Sequence, residues 1–154
     1  MLNEDYRDIL QSLSDQNVEF LLVGAYAIAV HGYPRATMDI DIWVRPSPAN
    51  AEAVFRALEQ FGAPLDELTP GDLNKEGTIF QIGVAPRRID IITGVSGLDF
   101  ESAYANSVET EIEGLSVHVP SIDDLIKNKK ASGRTKDLAD AEALESLRES
   151  DEEG

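Results

Sequence analysis

Apolar residues recur along this chain in two rhythms, one of three to four positions and one of two, and their succession predicts an α+β fold. Between Glu4 and Ser14 the residues Tyr6, Ile9, Leu10 and Leu13 form a single stripe, which predicts an amphipathic helix lying on a sheet. Val18 to Val23 reads as a buried strand; Gly24 punctuates it, and Ala25 to His31 fits a short helix stopped by Gly32 and Pro34. Met38 to Val44 then alternates, with Met38, Ile40, Ile42 and Val44 on one face and Asp39, Asp41 and Trp43 on the other. Asn50 to Phe61 returns to helical spacing through Ala53, Val54, Ala57, Leu58 and Phe61 before Gly62 ends it, and Pro64 to Gly77 reads as loop. Thr78 to Val84 and Arg87 to Thr93 predict a hairpin around Ala85 and Pro86, and Glu101 to Ala105 a short helix. Val108 to Ile112 and Leu115 to Val119 predict a second hairpin around Glu113 and Gly114. Ser121 is placed to cap a helix carrying Ile122, Leu125 and Ile126, and Thr135 starts the last helix after Gly133. The expectation is one domain over residues 1–148, a mixed sheet flanked by helices with helices at the C-terminal end, and an acidic, disordered tail over residues 149–154.

The strand over Met38 to Val44 carries the candidate chemistry. Side chains two apart on a strand share a face, so the Asp39 and Asp41 carboxylates sit side by side and repel unless positive charge lies between them. A strand with one solvated face also alternates in this way. What favours chemistry is the preceding strand, glycine and helix: a helix N-terminus offers free N–H groups to a phosphate, and Gly24 allows close approach to the main chain. Hard oxygen ligands next to a phosphate site suit Mg²⁺ or Mn²⁺. Asp90 alternates with Ile89 and Ile91 and joins the pair if its strand lies beside Met38 to Val44; otherwise it pairs with Arg87 or Arg88. Three carboxylates can hold two metal ions roughly 3.5–4 Å apart in an in-line displacement.

Composition narrows the class. The 154 residues make one ordinary domain, and with no cysteine there is no disulfide, thiolate metal site or cysteine nucleophile. No apolar run reaches the length of a membrane span and the first residues lack a basic signal, so a cytoplasmic protein is expected. His31 and His118 are too far apart to suggest a zinc motif. A net charge of −16 argues against non-specific DNA binding, and it is equally consistent with a high-salt habitat. Against that background Lys127, Lys129, Lys130, Arg134 and Lys136 form a basic island without an acid, suited to a triphosphate or an RNA end, or simply a solvated face. Arg35, in the turn before the Asp39 strand, is placed either to reach a phosphate oxygen or to pair with a nearby acid. His31 reads as a helix terminator held by a local hydrogen bond, and Trp43 as core beneath a helix rather than a base-stacking platform.

The stretch VGAYAIAVHGYPRATMDIDIWV resembles the signature of the nucleotidyltransferase superfamily, a strand ending in glycine, a helix, and a strand bearing Asp-x-Asp. The closer likeness is to minimal nucleotidyltransferases and to the toxin nucleotidyltransferases of abortive-infection systems; DDLIKNKKASGRTKDLAD is similar to their late helical motif. The resemblance implies transfer of a nucleoside monophosphate from a nucleoside triphosphate to a hydroxyl, with Asp39, Asp41 and Asp90 as metal-binding catalytic acids. It implies that Gly24 and Ala25 face the nucleotide, and it singles out Lys129, Arg134, Asp137 and Asp140. An RNA 3′ end, a protein side chain or a small molecule fits as acceptor, and a cognate toxin or antitoxin as partner. Ala25 departs from the family, many members of which carry serine there; loss of that hydroxyl leaves open a nucleotide-binding or protein-partner module, such as an antitoxin, without turnover.

Overall fold

Four short strands, the wholly apolar β1 (Phe20–Val23), β2 (Ile40–Val44), β3 (Ile79–Ile82) and β4 (Ile89–Ile92), are hydrogen-bonded in the order β1-β2-β4-β3. The computed structural model describes residues 2–33, 39–84 and 87–153, with side chains as far as residue 150. β2 and β4 run parallel, and each has an antiparallel partner outside it. The sheet is therefore mixed, as its sequence pattern suggests.

One face of the sheet carries the core. Leu22, Ile40, Ile42, Val44, Ile89 and Ile91 are buried in one cluster with Ile9, Leu13, Val54 and Leu58 from α1 (Glu4–Asp15) and α3 (Pro48–Phe61). Each of these helices starts where a side chain satisfies a free N–H, Asn3 capping Tyr6 and Ser47 capping Asn50, and α3 stops at Gly62 in the left-handed region. The opposite face is only partly covered. Leu21, Val23 and Trp43 pack there with Phe100 and Ala103 of α5 (Phe100–Ala105), the Trp43 and Phe100 rings meeting edge to face at 5.2 Å. Trp43 is thus core, and the Asp41 end of the same face stays open.

The hairpin of β5 (Val108–Ile112) and β6 (Leu115–Val119) sends Val117 and Val119 into the main core. It turns at Glu113 and Gly114, both at positive φ. α6 (Ile122–Ser132) and α7 (Thr135–Glu153) pack on each other, contributing Leu125, Ile126 and Leu144.

One expectation needs correction, and two others gain detail. The segment read as loop contains a turn of helix, α4 (Pro70–Leu73), built by a reciprocal capping box in which Thr69 Oγ1 accepts from the Asp72 N–H and Asp72 Oδ2 accepts from the Thr69 N–H. The last helix, α7, spans Thr135–Glu153, and no glycine or proline interrupts the sequence before Gly154. Asp90 does not choose between partners, because β4 lies between β2 and β3 and Arg88 also reaches it. The turn at Ala85 and Pro86, and Pro34 to Met38 with Arg35 among them, lie outside the described residues. No described helix is long and apolar enough to cross a membrane.

Candidate active site

Parallel pairing of β2 with β4 places Asp41 directly beside Asp90 on the open face of the sheet. Asp39 lies just before β2, and its Oδ1 accepts the backbone N–H of Arg88 at 3.1 Å. The Arg88 guanidinium spans the acids, donating from Nε to Asp90 Oδ1 at 2.9 Å and from Nη2 to Asp90 Oδ2 at 3.3 Å, with Nη2 3.4 Å from Asp39 Oδ2. Asp41 sits less comfortably: burial, then the charge and hydrogen bond of Asp90 and the charge of Asp39, push its carboxyl up to about 7 against the opposing pull of Arg88. The Asp41 carboxyl is therefore harder to ionise than an ordinary aspartate unless another positive charge arrives.

Gly24 opens α2 (Gly24–Val30) at the end of β1, whose Val23 pairs with Asp41. Its φ is +66°, and a Cβ there would lie 2.3 Å from Asp41 Oδ2, so any other residue strains the backbone and displaces the Asp41 carboxylate. Val23, the N-cap of α2, makes no side-chain cap, and the first turn of that helix is left for other partners. His31 ends α2 as its sequence position suggests, but its side-chain hydrogen bond is long-range rather than local: Nε2 lies 2.8 Å from the Pro120 carbonyl oxygen.

A cavity of about 260 Å³ extends from Gly24 and Asp41 to Ser96, Asn128, Lys129 and Arg134. The basic island is therefore partly a wall of the site, brought from the far end of the chain. Asp137 organises it. Only 1% exposed, it accepts from Ser132 Oγ at 2.8 Å and from Arg134 Nε at 2.6 Å, and Lys129 Nζ lies 3.4 Å from its Oδ1 and 3.3 Å from Asp140 Oδ2. Burial alone would raise the Asp137 carboxyl, but the Arg134 and Ser132 hydrogen bonds and the Lys129 charge bring it down to about 2. A lowered folded-state pKa stabilises above the unfolded value of 3.8 and is lost as pH falls towards 2. Thermal unfolding followed over that acid range is expected to show a drop in midpoint that Asp137→Asn reduces.

The three acids offer only hard oxygen donors, and the burial and repulsion at Asp41 are relieved by a divalent cation, so the donor chemistry fits Mg²⁺ or Mn²⁺. No group of three acidic, His or Cys side chains among the described residues is arranged as a ready-made cation site. Arg88 stands on two of the three acids instead. Sequence reasoning weighed Arg88 only as an alternative partner for Asp90, and it had no signal for Ser96 or Asn128, which reach the cavity by tertiary packing.

The family profile described as "nucleotidyltransferase of unknown function (DUF6036)" matches residues 1–151. The chain belongs to this family. Among solved structures, the crystal structure of a candidate nucleotidyltransferase from Thermotoga maritima superposes with a TM-score of 0.57 at 18% identity, covering 100% of this chain and 97% of that one. The nucleotidyltransferase-like fold is thereby shared. No curated protein matches the chain.

Proposed function

We propose that this nucleotidyltransferase moves a nucleoside monophosphate from a nucleoside triphosphate to a hydroxyl acceptor, in a reaction that depends on Mg²⁺ or Mn²⁺. The observation that carries the reading is Asp41 beside Asp90 on parallel strands, with Asp41 and Gly24 at one end of a cavity whose other wall holds Lys129 and Arg134. Asp39, Asp41 and Asp90 would hold the cation, which supplies charge neutralisation at the phosphates and a more acidic acceptor hydroxyl. Asp90 faces the acceptor and assists its deprotonation. Gly24 and Ala25 offer backbone N–H groups to the phosphates, and Lys129 and Arg134 counter the triphosphate charge. The acceptor oxygen bonds to the α-phosphorus as the bond to the bridging oxygen breaks, and pyrophosphate leaves. Positioning and charge compensation supply most of the acceleration.

An RNA 3′ end or a protein hydroxyl is the acceptor class we favour, within a cytoplasmic toxin–antitoxin or phage-defence system that includes a cognate partner. Support for that setting is the likeness of residues 23–44 and 123–140 to abortive-infection nucleotidyltransferases. Incubation with labelled nucleoside triphosphates, Mg²⁺, and cellular RNA and protein is expected to label an acceptor and release pyrophosphate. Transfer that persists undiminished in Asp39→Asn/Asp41→Asn refutes the assignment. Ala25 favours one other reading, a nucleotide-binding module without turnover. That reading predicts a nucleotide-dependent thermal shift with no pyrophosphate.

A further inference from the structure

We propose that Arg88 is a positioning residue, an internal counterion that holds Asp39 and Asp90 in the metal-free protein and releases them when a divalent cation enters. The proposal rests on the metal-dependent reading above and concerns how this chain keeps such a site intact without its ion. Arg88 makes contacts of two kinds. Its backbone is pinned: the carbonyl oxygen accepts from the Ile40 N–H at 3.1 Å and the Tyr6 hydroxyl at 3.2 Å, while its N–H donates to Asp39. Among the described residues its guanidinium is held by the acids, with both oxygens of Asp90 and Oδ2 of Asp39 as partners, and the side chain is 34% exposed. The side chain can therefore leave the acids without disturbing the β2–β4 pairing that aligns them.

Charge explains why it is there and why it must move. Three carboxylates meet one guanidinium, which pairs with Asp39 and Asp90 and leaves Asp41 beside Asp90 without a share of it. A divalent cation compensates that charge better, but the carboxylate oxygens it needs are already accepting hydrogen bonds from Arg88. Guanidinium and cation thus compete for the same oxygens. A planar fork suits this duty better than an ammonium, because it engages two carboxylates at once, and once displaced it presents the same donors to phosphate oxygens.

A purely structural ion pair and a displaceable counterion make opposite predictions for metal binding. Calorimetric titration of Mn²⁺ into the intact chain, at fixed pH and ionic strength, is expected to show about tenfold tighter binding for Arg88→Gln than for wild type. Arg88→Lys, which keeps the charge without the fork, is expected to fall between them. The metal-free melting temperature of Arg88→Gln is expected to drop while its Mn²⁺-induced rise grows. If Arg88→Gln does not fold, the Arg88→Lys titration decides. Mn²⁺ affinity unchanged or weakened in a folded variant overturns the counterion role and leaves the functional reading standing. No Mn²⁺ uptake by wild type or variant, even with a non-hydrolysable nucleoside triphosphate present, overturns both.

Discussion

Asp41→Asn is expected to abolish nucleotidyl transfer while making the metal-free protein more stable. Loss of activity follows from removing the central acid of the cluster, and a fall in rate of about 10³-fold or more is expected. Gain of stability follows from the same placement. Buried beside Asp90, the Asp41 carboxyl is raised from 3.8 to about 7, so the folded chain holds its proton more tightly than the unfolded one. For an acid with a raised folded-state pKa, the stabilising contribution is fully present below 3.8 and is lost as pH rises through about 7. The wild-type melting temperature without metal should accordingly fall over that interval. Asparagine cannot ionise, so the variant should show a flatter slope and a higher midpoint at neutral pH, and Mn²⁺ should rescue wild type but not the variant. A wild-type slope that survives the substitution would disprove the assignment of the shift to Asp41. This limb has the opposite sign to the acid limb expected from Asp137, and the two occupy different pH ranges.

Gly24→Ala is expected to cost about 2–4 kcal/mol of stability and to eliminate nucleotide-dependent stabilisation. Two penalties combine. The left-handed backbone at φ +66° disfavours any Cβ, and the added methyl would stand 2.3 Å from Asp41 Oδ2. The carboxylate must then turn away, which misplaces the oxygen needed at the cation site and narrows the approach to α2. Gly62→Ala isolates the first penalty, since Gly62 has φ +92° and nothing within 4 Å of its added Cβ. It should cost about 1 kcal/mol and leave transfer intact. Denaturant unfolding and thermal shift with nucleoside triphosphate and Mg²⁺ measure both variants. Equal effects at the two glycines would show that contact with Asp41 is not what constrains position 24.

Local periodicity determined much of this protein by itself. The stripe through Tyr6, Ile9, Leu10 and Leu13, the alternation through Ile40 and Ile42, and the Glu113–Gly114 turn each follow from neighbours a few residues apart, and all appear where the pattern places them. Resemblance carried the family further, since the Asp-x-Asp strand and its glycine are contiguous in sequence. Whether Asp90 joined that pair was a question of strand order. Its own pattern allowed either a carboxylate cluster or an ion pair with a neighbouring arginine, and the parallel β2–β4 register delivers both at once. The same holds for the cavity wall, where Lys129 and Arg134 meet Gly24 and Asp41 across about a hundred residues of chain. Helical and strand periods are set by backbone geometry within one element, whereas these juxtapositions depend on which elements pack together. That choice is made by burying Ile40, Ile89 and Leu125 in one core, and no short window of sequence contains it.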